Sequence, residues 1–394
     1  MTRLLMIVPA PVNRLPDGRL RLDVKFVEGM RLHKALWQGD LAVLLWEGGQ
    51  IPFGADYRPE DLGFEAITLD RGAALPMDLL AQFDAISASG DMAETLDLAG
   101  PGRTPVHYSI EYTLGTRLAI VALDRHLSLP RKVWSMIWNL RVERRRRAAF
   151  RRAAGVQANG YPAFHAYRAL NPSTILYLDG RMRSSMMATP GEMAARANRA
   201  LAGGGLRLVH SGRLEPMKGA QDLIPVARGL CAQGVDFTLD IFGTGSLEGE
   251  IRSGLAGMES RVRLHAPVDF ETALVPWMRA NADVFLSCHR QSDPSCTYLE
   301  SMGCGVPVVG YDNAMWQGMQ ADSGAGWLVP LGKTAAMATE IARLAHSPAE
   351  VAQHAARALD FAQHHDFETE FSRRTRHSAA RPWQARRGHD RTVP

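Results

Sequence analysis

Two cations stand five positions apart in the run Gly212-Arg213-Leu214-Glu215-Pro216-Met217-Lys218-Gly219. The run follows an apolar stretch, Leu206–Ser211, that reads as a strand, and it precedes a helical pattern starting at Gly219. Arg213 and Lys218 therefore stand at the mouth of a strand-to-helix turn. That placement suits an anion such as a diphosphate, because a helix start adds unpaired N–H groups and the positive end of its dipole. The alternative is that both are solvated surface charges. A second turn, Phe242-Gly243-Thr244-Gly245, also ends a strand. Gly243 and Gly245 would let backbone approach a ligand closely. Without the third glycine of a dinucleotide fingerprint, the segment reads equally as a tight turn.

A third segment runs Asp293-Pro294-Ser295-Cys296-Thr297-Tyr298-Leu299-Glu300. Asp293 has the type of an N-cap and Pro294 of a first helical residue. The helix is expected to reach about Cys304, with Gly305 ending it. At about 100° per residue, Asp293, Thr297 and Glu300 share one face. That face offers carboxylates and a hydroxyl to a sugar, while the first turn at Ser295, Cys296 and Thr297 offers N–H groups to phosphate. Asp293 is either a plain cap or a ligand contact. Glu300 is either solvated or a binding carboxylate, and its neighbours Leu299, Met302 and Cys304 favour a half-buried helix.

The elements that must position these residues alternate strand and helix. Expected strands are Leu4–Val8, Leu41–Leu45, Phe83–Ser87, Pro105–Tyr108, Val156–Asn159, Thr174–Tyr177, Leu206–Ser211, Thr238–Phe242, Val262–His265, Val284–Leu286 and Val306–Val309. Several are continuous apolar runs, as parallel strands covered on both faces require. Helical stretches lie between them, including Gly219–Gln233, which Pro225 would kink or delay, and Thr334–Ala345. The pattern predicts doubly wound α/β architecture. Two domains of similar size are expected, 1–195 and 196–365, divided near the polar helix that precedes Gly203-Gly204-Gly205. The tail 381–394 lacks apolar periodicity and is expected to be disordered.

Composition narrows the function classes. The 394 residues are 46% hydrophobic and 22% charged, with 45 Lys+Arg against 41 Asp+Glu. A net charge of +4 is too mild to imply nucleic acid as a partner. The four cysteines, Cys231, Cys288, Cys296 and Cys304, form no C-x-x-C pair, which argues against a zinc ribbon, an iron–sulfur site or a thioredoxin motif. No apolar run approaches the roughly 18 residues of a membrane span. The apolar start ends at Pro9 and reads as a buried strand, not a signal peptide. The chain is expected to be cytoplasmic, at most peripheral at the inner membrane face.

Together and in this order, the three motifs resemble the donor domain of retaining GT-B glycosyltransferases of family 4, the glycosyl transferases group 1. Gly212-Arg213-Leu214-x-x-x-Lys218-Gly219 matches the diphosphate motif at every position. Phe242-Gly243-Thr244-Gly245 matches the second glycine turn, and Leu299-Glu300-Ser301-Met302 through Gly305-Val306-Pro307-Val308-Val309 matches the helix and strand carrying the second signature glutamate. The resemblance implies two Rossmann-like domains facing across a cleft, with the donor nucleotide in the second. It implies that Arg213 and Lys218 neutralise the diphosphate and that Glu300 binds the ribose hydroxyls. It also implies that the segment 366–380 crosses back onto the first domain as a helix. One position departs: the first signature glutamate, eight residues before Glu300, is Ser292 here, followed by Asp293. Asp293 would have to replace it after a one-residue shift.

In the first domain, Pro105–Tyr112 falls where the family often has a strand ending in a functional histidine, and Glu111 takes that place. Glu111 either stabilises an oxocarbenium-like transition state, or orients the acceptor, or caps the next helix. His107, four residues earlier, reads as a packed core residue. Gly18 lies in a reduced loop after the first strand and would approach the donor phosphate. Residues 131–152 combine Trp134, Ile137, Trp138 and Arg141 at helical spacing with the run Arg144-Arg145-Arg146-Arg147. They form either a solvated helix or a contact with an anionic membrane surface. The resulting expectation is transfer of a sugar, with retention, from a nucleoside-diphosphate sugar to a glycan or lipid-linked acceptor, as in polysaccharide biosynthesis. No cofactor and no metal are expected if cations and helix starts carry the leaving-group charge. A non-catalytic nucleotide-sugar binding protein and a GT-B sugar-nucleotide epimerase are the alternatives.

Overall fold

A computed structural model describes residues 2–51, 54–124 and 127–379. The tail 381–394 lies outside them. The chain forms two units. One runs to Tyr177 and takes up the chain again from Glu368; the other is Leu178–Phe367. The division therefore falls earlier than 195/196. The segment after Tyr177 is tied into the second unit: Ala188 donates to the Gly303 carbonyl (2.8 Å), and the buried Arg196 donates to the carbonyls of Met278, Ala282, Cys304 and Gly305.

The strands of the first unit are β1 (Thr2–Arg14), β2 (Leu20–Asp23), β3 (Gly39–Glu47), β4 (Gly54–Tyr57), β5 (Glu65–Leu69), β6 (Ala85–Ser89), β7 (Val106–Ile110), β8 (Gly155–Asn159) and β9 (Thr174–Tyr177). Seven lie parallel in the order β5-β3-β1-β6-β7-β8-β9, and β2 and β4 extend the end of β1 in antiparallel register. Alternate residues of one strand serve two cores. Leu5 and Ile7 pack on one face with Leu44 and Tyr108, whereas Leu4 and Met6 pack on the other with Val43 and Val27. Burial on both faces is why these strands read as unbroken apolar runs. The helix Phe367–Ala379 belongs to this unit: Thr375 Oγ1 lies 3.0 Å from His33 Nδ1, and Gln157 Nε2 donates to the Arg374 carbonyl.

The second unit holds β10 (Leu206–Ser211), β11 (Phe237–Phe242), β12 (Val262–His265), β13 (Val284–Ser287), β14 (Val308–Tyr311) and β15 (Trp327–Val329), all parallel, in the order β12-β11-β10-β13-β14-β15. The helix expected over Gly219–Gln233 is Leu223–Ala232, preceded by two short 3-10 turns. Pro225 explains the delay, because its ring would collide with the carbonyl four residues back in a helix begun at Gly219. Cys231, Cys288 and Cys304 are free thiols. Among the described residues no helix is long and apolar enough to cross a membrane.

Each unit buries a neutral histidine. Burial, with Arg374 adding to it, pulls His33 down to about 3. Burial pulls His210 down to about 4, with Lys218 acting in the same direction. Both folded-state values lie below the unfolded value of about 6.5, so the unfolded chain takes up protons first. Stability from each ring is complete above pH 6.5 and is lost as pH falls toward 4 for His210 and 3 for His33. The slope is about 1.4 kcal/mol per pH unit per ring. Urea midpoints should therefore drop steeply between pH 7 and pH 5; equal midpoints would contradict this assignment.

Candidate functional site

In the second unit the strand order reverses between β10 and β13. In such sheets the crevice outside the carboxyl ends of the strands at the reversal is where ligands bind. The three sequence motifs meet there. One cavity is lined by Gly212 and Arg213 after β10, Gly243 and Thr244 after β11, and Thr297 and Glu300 from the helix Cys296–Gly303, with Arg181, Phe242 and Val268 beside them. Backbone contact holds the two glycine turns together. Gly212 donates to the Phe242 carbonyl (3.0 Å), and a Cβ on Gly243 (φ 154°) would stand 2.0 Å from the Gly212 carbonyl oxygen. Only glycine fits at that approach.

Glu300 is 2% exposed and lines this cavity. Arg181 Nε donates to Glu300 Oε1 at 2.8 Å, and the same guanidinium lies over the Phe270 ring, 4.1 Å from its centroid. Burial pulls Arg181 down, but the Glu300 carboxylate more than offsets it and leaves the guanidinium above its usual value. Arg213 is exposed at the cavity. The arrangement offers an exposed cation, two backbone turns and a buried carboxylate with an arginine across it.

Lys218 is placed differently. It is buried, and its Nζ donates to Asp293 Oδ2 at 2.6 Å. Gly219 makes the approach possible: at φ 69°, a Cβ would lie 1.6 Å from the Cys288 carbonyl oxygen just beyond β13. Asp293 is not the helix cap expected from its type. The helix starts at Cys296 with Ser295 at the N-cap position, and the Asp293 carboxylate is committed to Lys218 instead. The other carboxylate oxygen, Oδ1, is buried with no hydrogen-bond partner among the described residues.

Residues 205–347 match the family described as Glycosyl transferases group 1. The matched stretch contains all three sequence motifs. Over 124 residues, 30% of each chain, it is 35% identical to the GDP-mannose-dependent alpha-(1-6)-phosphatidylinositol dimannoside mannosyltransferase of Mycobacterium tuberculosis. Over 121 residues, 29% of this chain and 28% of the relative, it is 31% identical to the D-inositol 3-phosphate glycosyltransferase of Arthrobacter sp.. The match thus spans under a third of the length of these curated relatives. In fold, the chain resembles Anabaena HepE solved with UDP (TM-score 0.65, 16% identity, 96% of this chain and 100% of that one). It also resembles sucrose-phosphate synthase of Thermosynechococcus elongatus (TM-score 0.66, 16% identity, 98% and 100%). The two parallel-sheet units are the Rossmann-like pair of the GT-B fold.

In the second unit, Gly245 belongs to the second turn, where a Cβ would press on the Leu214 backbone at 2.5 Å. Ser295 and Thr297 pair through their hydroxyls at 2.9 Å, and Cys296 is half-buried at the helix start. Glu215, not among the residues expected from sequence, accepts from the Ser246 N–H (3.0 Å) and hydroxyl (2.5 Å) and clamps the two glycine loops. Its place between Arg213 and Lys218 was the available signal. Arg181 had none, because its contact with Glu300 spans 119 positions. Among the described residues no group of three or more His, Cys, Asp or Glu could hold a metal ion.

The remaining sequence-predicted residues lie in the first unit. Gly18 (φ 83°) closes the tight turn between β1 and β2, donating to the Leu15 carbonyl at 3.0 Å. Glu111 directly follows β7, and its N–H donates to Asp91 Oδ2 at 3.0 Å. Asp91 also accepts from the Tyr112 N–H and pairs with Arg117, so it organises the loop carrying Glu111. Burial pushes the Asp91 carboxyl up, with Arg117 acting against it. Thr113, not Glu111, caps the helix Leu114–Leu123. His107 is fully buried, its ring 5.3 Å from that of His377.

Proposed function

We propose that the chain is a retaining glycosyltransferase that takes a sugar from a nucleoside-diphosphate sugar. The observation that carries this reading is the convergence of Arg213, both glycine turns and Glu300 on one cavity at the reversal point of the sheet. Arg213 and the N–H groups at Ser295, Cys296 and Thr297 are suited to the diphosphate, and Glu300 to the ribose diol. Lys218 adds a second cation once the diphosphate competes with Asp293 for it. A sugar hydroxyl would satisfy the unpartnered Asp293 Oδ1, giving Asp293 the contact expected of the replaced glutamate. Glu111, from the first unit, is assigned the acceptor side. Gly18 is assigned a backbone approach to the donor. With two cations on the leaving group, transfer needs no metal ion.

A glycan or lipid-linked acceptor fits the relatives, one of which is named for a phosphatidylinositol mannoside acceptor. A cytoplasmic location, peripheral at the inner membrane face, belongs to the same reading. The test is product analysis with GDP-, UDP- and ADP-sugars and lipid-linked or glycan acceptors. Released nucleoside diphosphate, a product anomer matching the donor and full activity in EDTA are expected, with Arg213→Ala losing most of the rate. An epimerised donor without transfer would establish the epimerase alternative. Tight donor binding with neither transfer nor hydrolysis would establish a binding protein.

A further inference from the structure

The helix Leu129–Arg152 has an exposed face that changes character along its length. Its inner face is committed to the first unit through Val142, Glu143, Arg146, Ala149 and Phe150. Arg146 donates to Glu143 (2.7 Å) and to the Gly90 carbonyl (2.8 Å), so it is a structural group and not part of the basic surface expected from the arginine run. At about 100° per residue, the outward arc carries Leu129, Val133, Trp134, Ile137, Trp138 and Leu140 in the first half. All six are exposed, Leu129 at 78% and Trp134 at 68%. The same arc in the second half carries the exposed Arg141, Arg144, Arg145, Arg151 and Arg152. The single acid within the helix, Glu143, points inward; Asp97, bonded to Arg145 at 2.7 Å, is the carboxylate set against the outer face.

We propose that this face docks the protein on an anionic lipid bilayer, with the amino-terminal half of the helix dipping below the headgroups and the carboxy-terminal half lying on them. A bilayer surface offers an anionic plane with apolar chains a few ångströms beneath it, the same two chemistries in adjoining layers. Indole rings favour that boundary, having an apolar body and one N–H donor. A second copy of the chain does not match, because self-association through this face would set arginines against arginines in a parallel pairing or against the apolar half in an antiparallel one. The helix is about 36 Å long, so a modest tilt separates its two halves in depth. The docking needs neither donor nor acceptor and stands apart from the transfer reading.

The test uses the full chain with vesicles of phosphatidylcholine alone or mixed with phosphatidylglycerol. Co-sedimentation should require the anionic lipid and fall as salt shortens the screening length from about 10 Å at 0.1 M to about 3 Å at 1 M. The variant R141Q/R144Q/R151Q/R152Q should lose at least about tenfold in partitioning. All four positions are exposed, so circular dichroism should match the parent. Acyl-chain-brominated lipid should quench tryptophan fluorescence in the parent and not in W134Q/W138Q, although six other tryptophans remain. Equal binding to neutral vesicles, no binding to either, or undiminished quenching in W134Q/W138Q would overturn the proposal. So would a dimer in solution that W134Q/W138Q dissolves, because a second copy would then cover the face.

Discussion

Lys218→Ala is expected to destabilise the second unit by about 3–5 kcal/mol, the usual cost of breaking a buried ion pair from one side. The reason is the carboxylate left behind. Asp293 is 5% exposed and ion-paired with Lys218, and its Oδ1 has no hydrogen-bond partner among the described residues. Loss of the ammonium leaves a buried charge uncompensated, or forces the carboxyl to take a proton. Lys218→Ala/Asp293→Ala removes both charges and should recover most of the lost stability, although neither variant should transfer sugar. Chemical denaturation of the two single variants and the double variant measures the coupling directly. A loss below about 1 kcal/mol in Lys218→Ala would show that the pair is solvated. A buried ion pair is what the surface-charge reading of Lys218 misses.

Glu300→Gln is expected to weaken nucleoside diphosphate and intact donor equally, by roughly 10- to 100-fold, because a hydrogen bond to a charged group is worth about 1.5–3 kcal/mol. Equality is the informative part, since the ribose is common to both ligands. A loss confined to the intact donor would move Glu300 from the ribose to the sugar. Stability should change little, because the amide oxygen of glutamine still accepts from Arg181 Nε at the position now 2.8 Å away. Calorimetric titration of the two ligands against parent and variant measures both affinities.

Most of the alternating architecture was legible in the sequence, because buried parallel strands write themselves as short apolar runs. Leu206–Ser211, Val262–His265 and Thr174–Tyr177 were legible to the residue. The strands that escaped, β2, β4, β5 and β15, are only three to five residues long, and all but β15 carry polar residues or glycine that break an apolar run. The three donor motifs were legible because each lies at a strand end, where glycine and charge stand out against apolar neighbours. What failed were local rules overruled by distant partners. Asp293 has the type and position of a cap, but a lysine 75 positions away holds it. Arg146 sits in a run that looks solvated, but its turn of the helix faces inward onto Gly90. The unit boundary was misplaced because Arg196 lies in a polar-looking helix while binding four carbonyls of the second unit.

Whether the cavity at the strand reversal of the second unit holds a nucleoside diphosphate can be measured on the intact chain. Calorimetric titration of the intact chain with GDP, UDP and ADP tests it most directly. At least one is expected to bind at one site per chain, to compete with its own sugar nucleotide, and to weaken as salt screens Arg213. Absence of binding by all three, or binding that Arg213→Ala leaves unchanged, would contradict it.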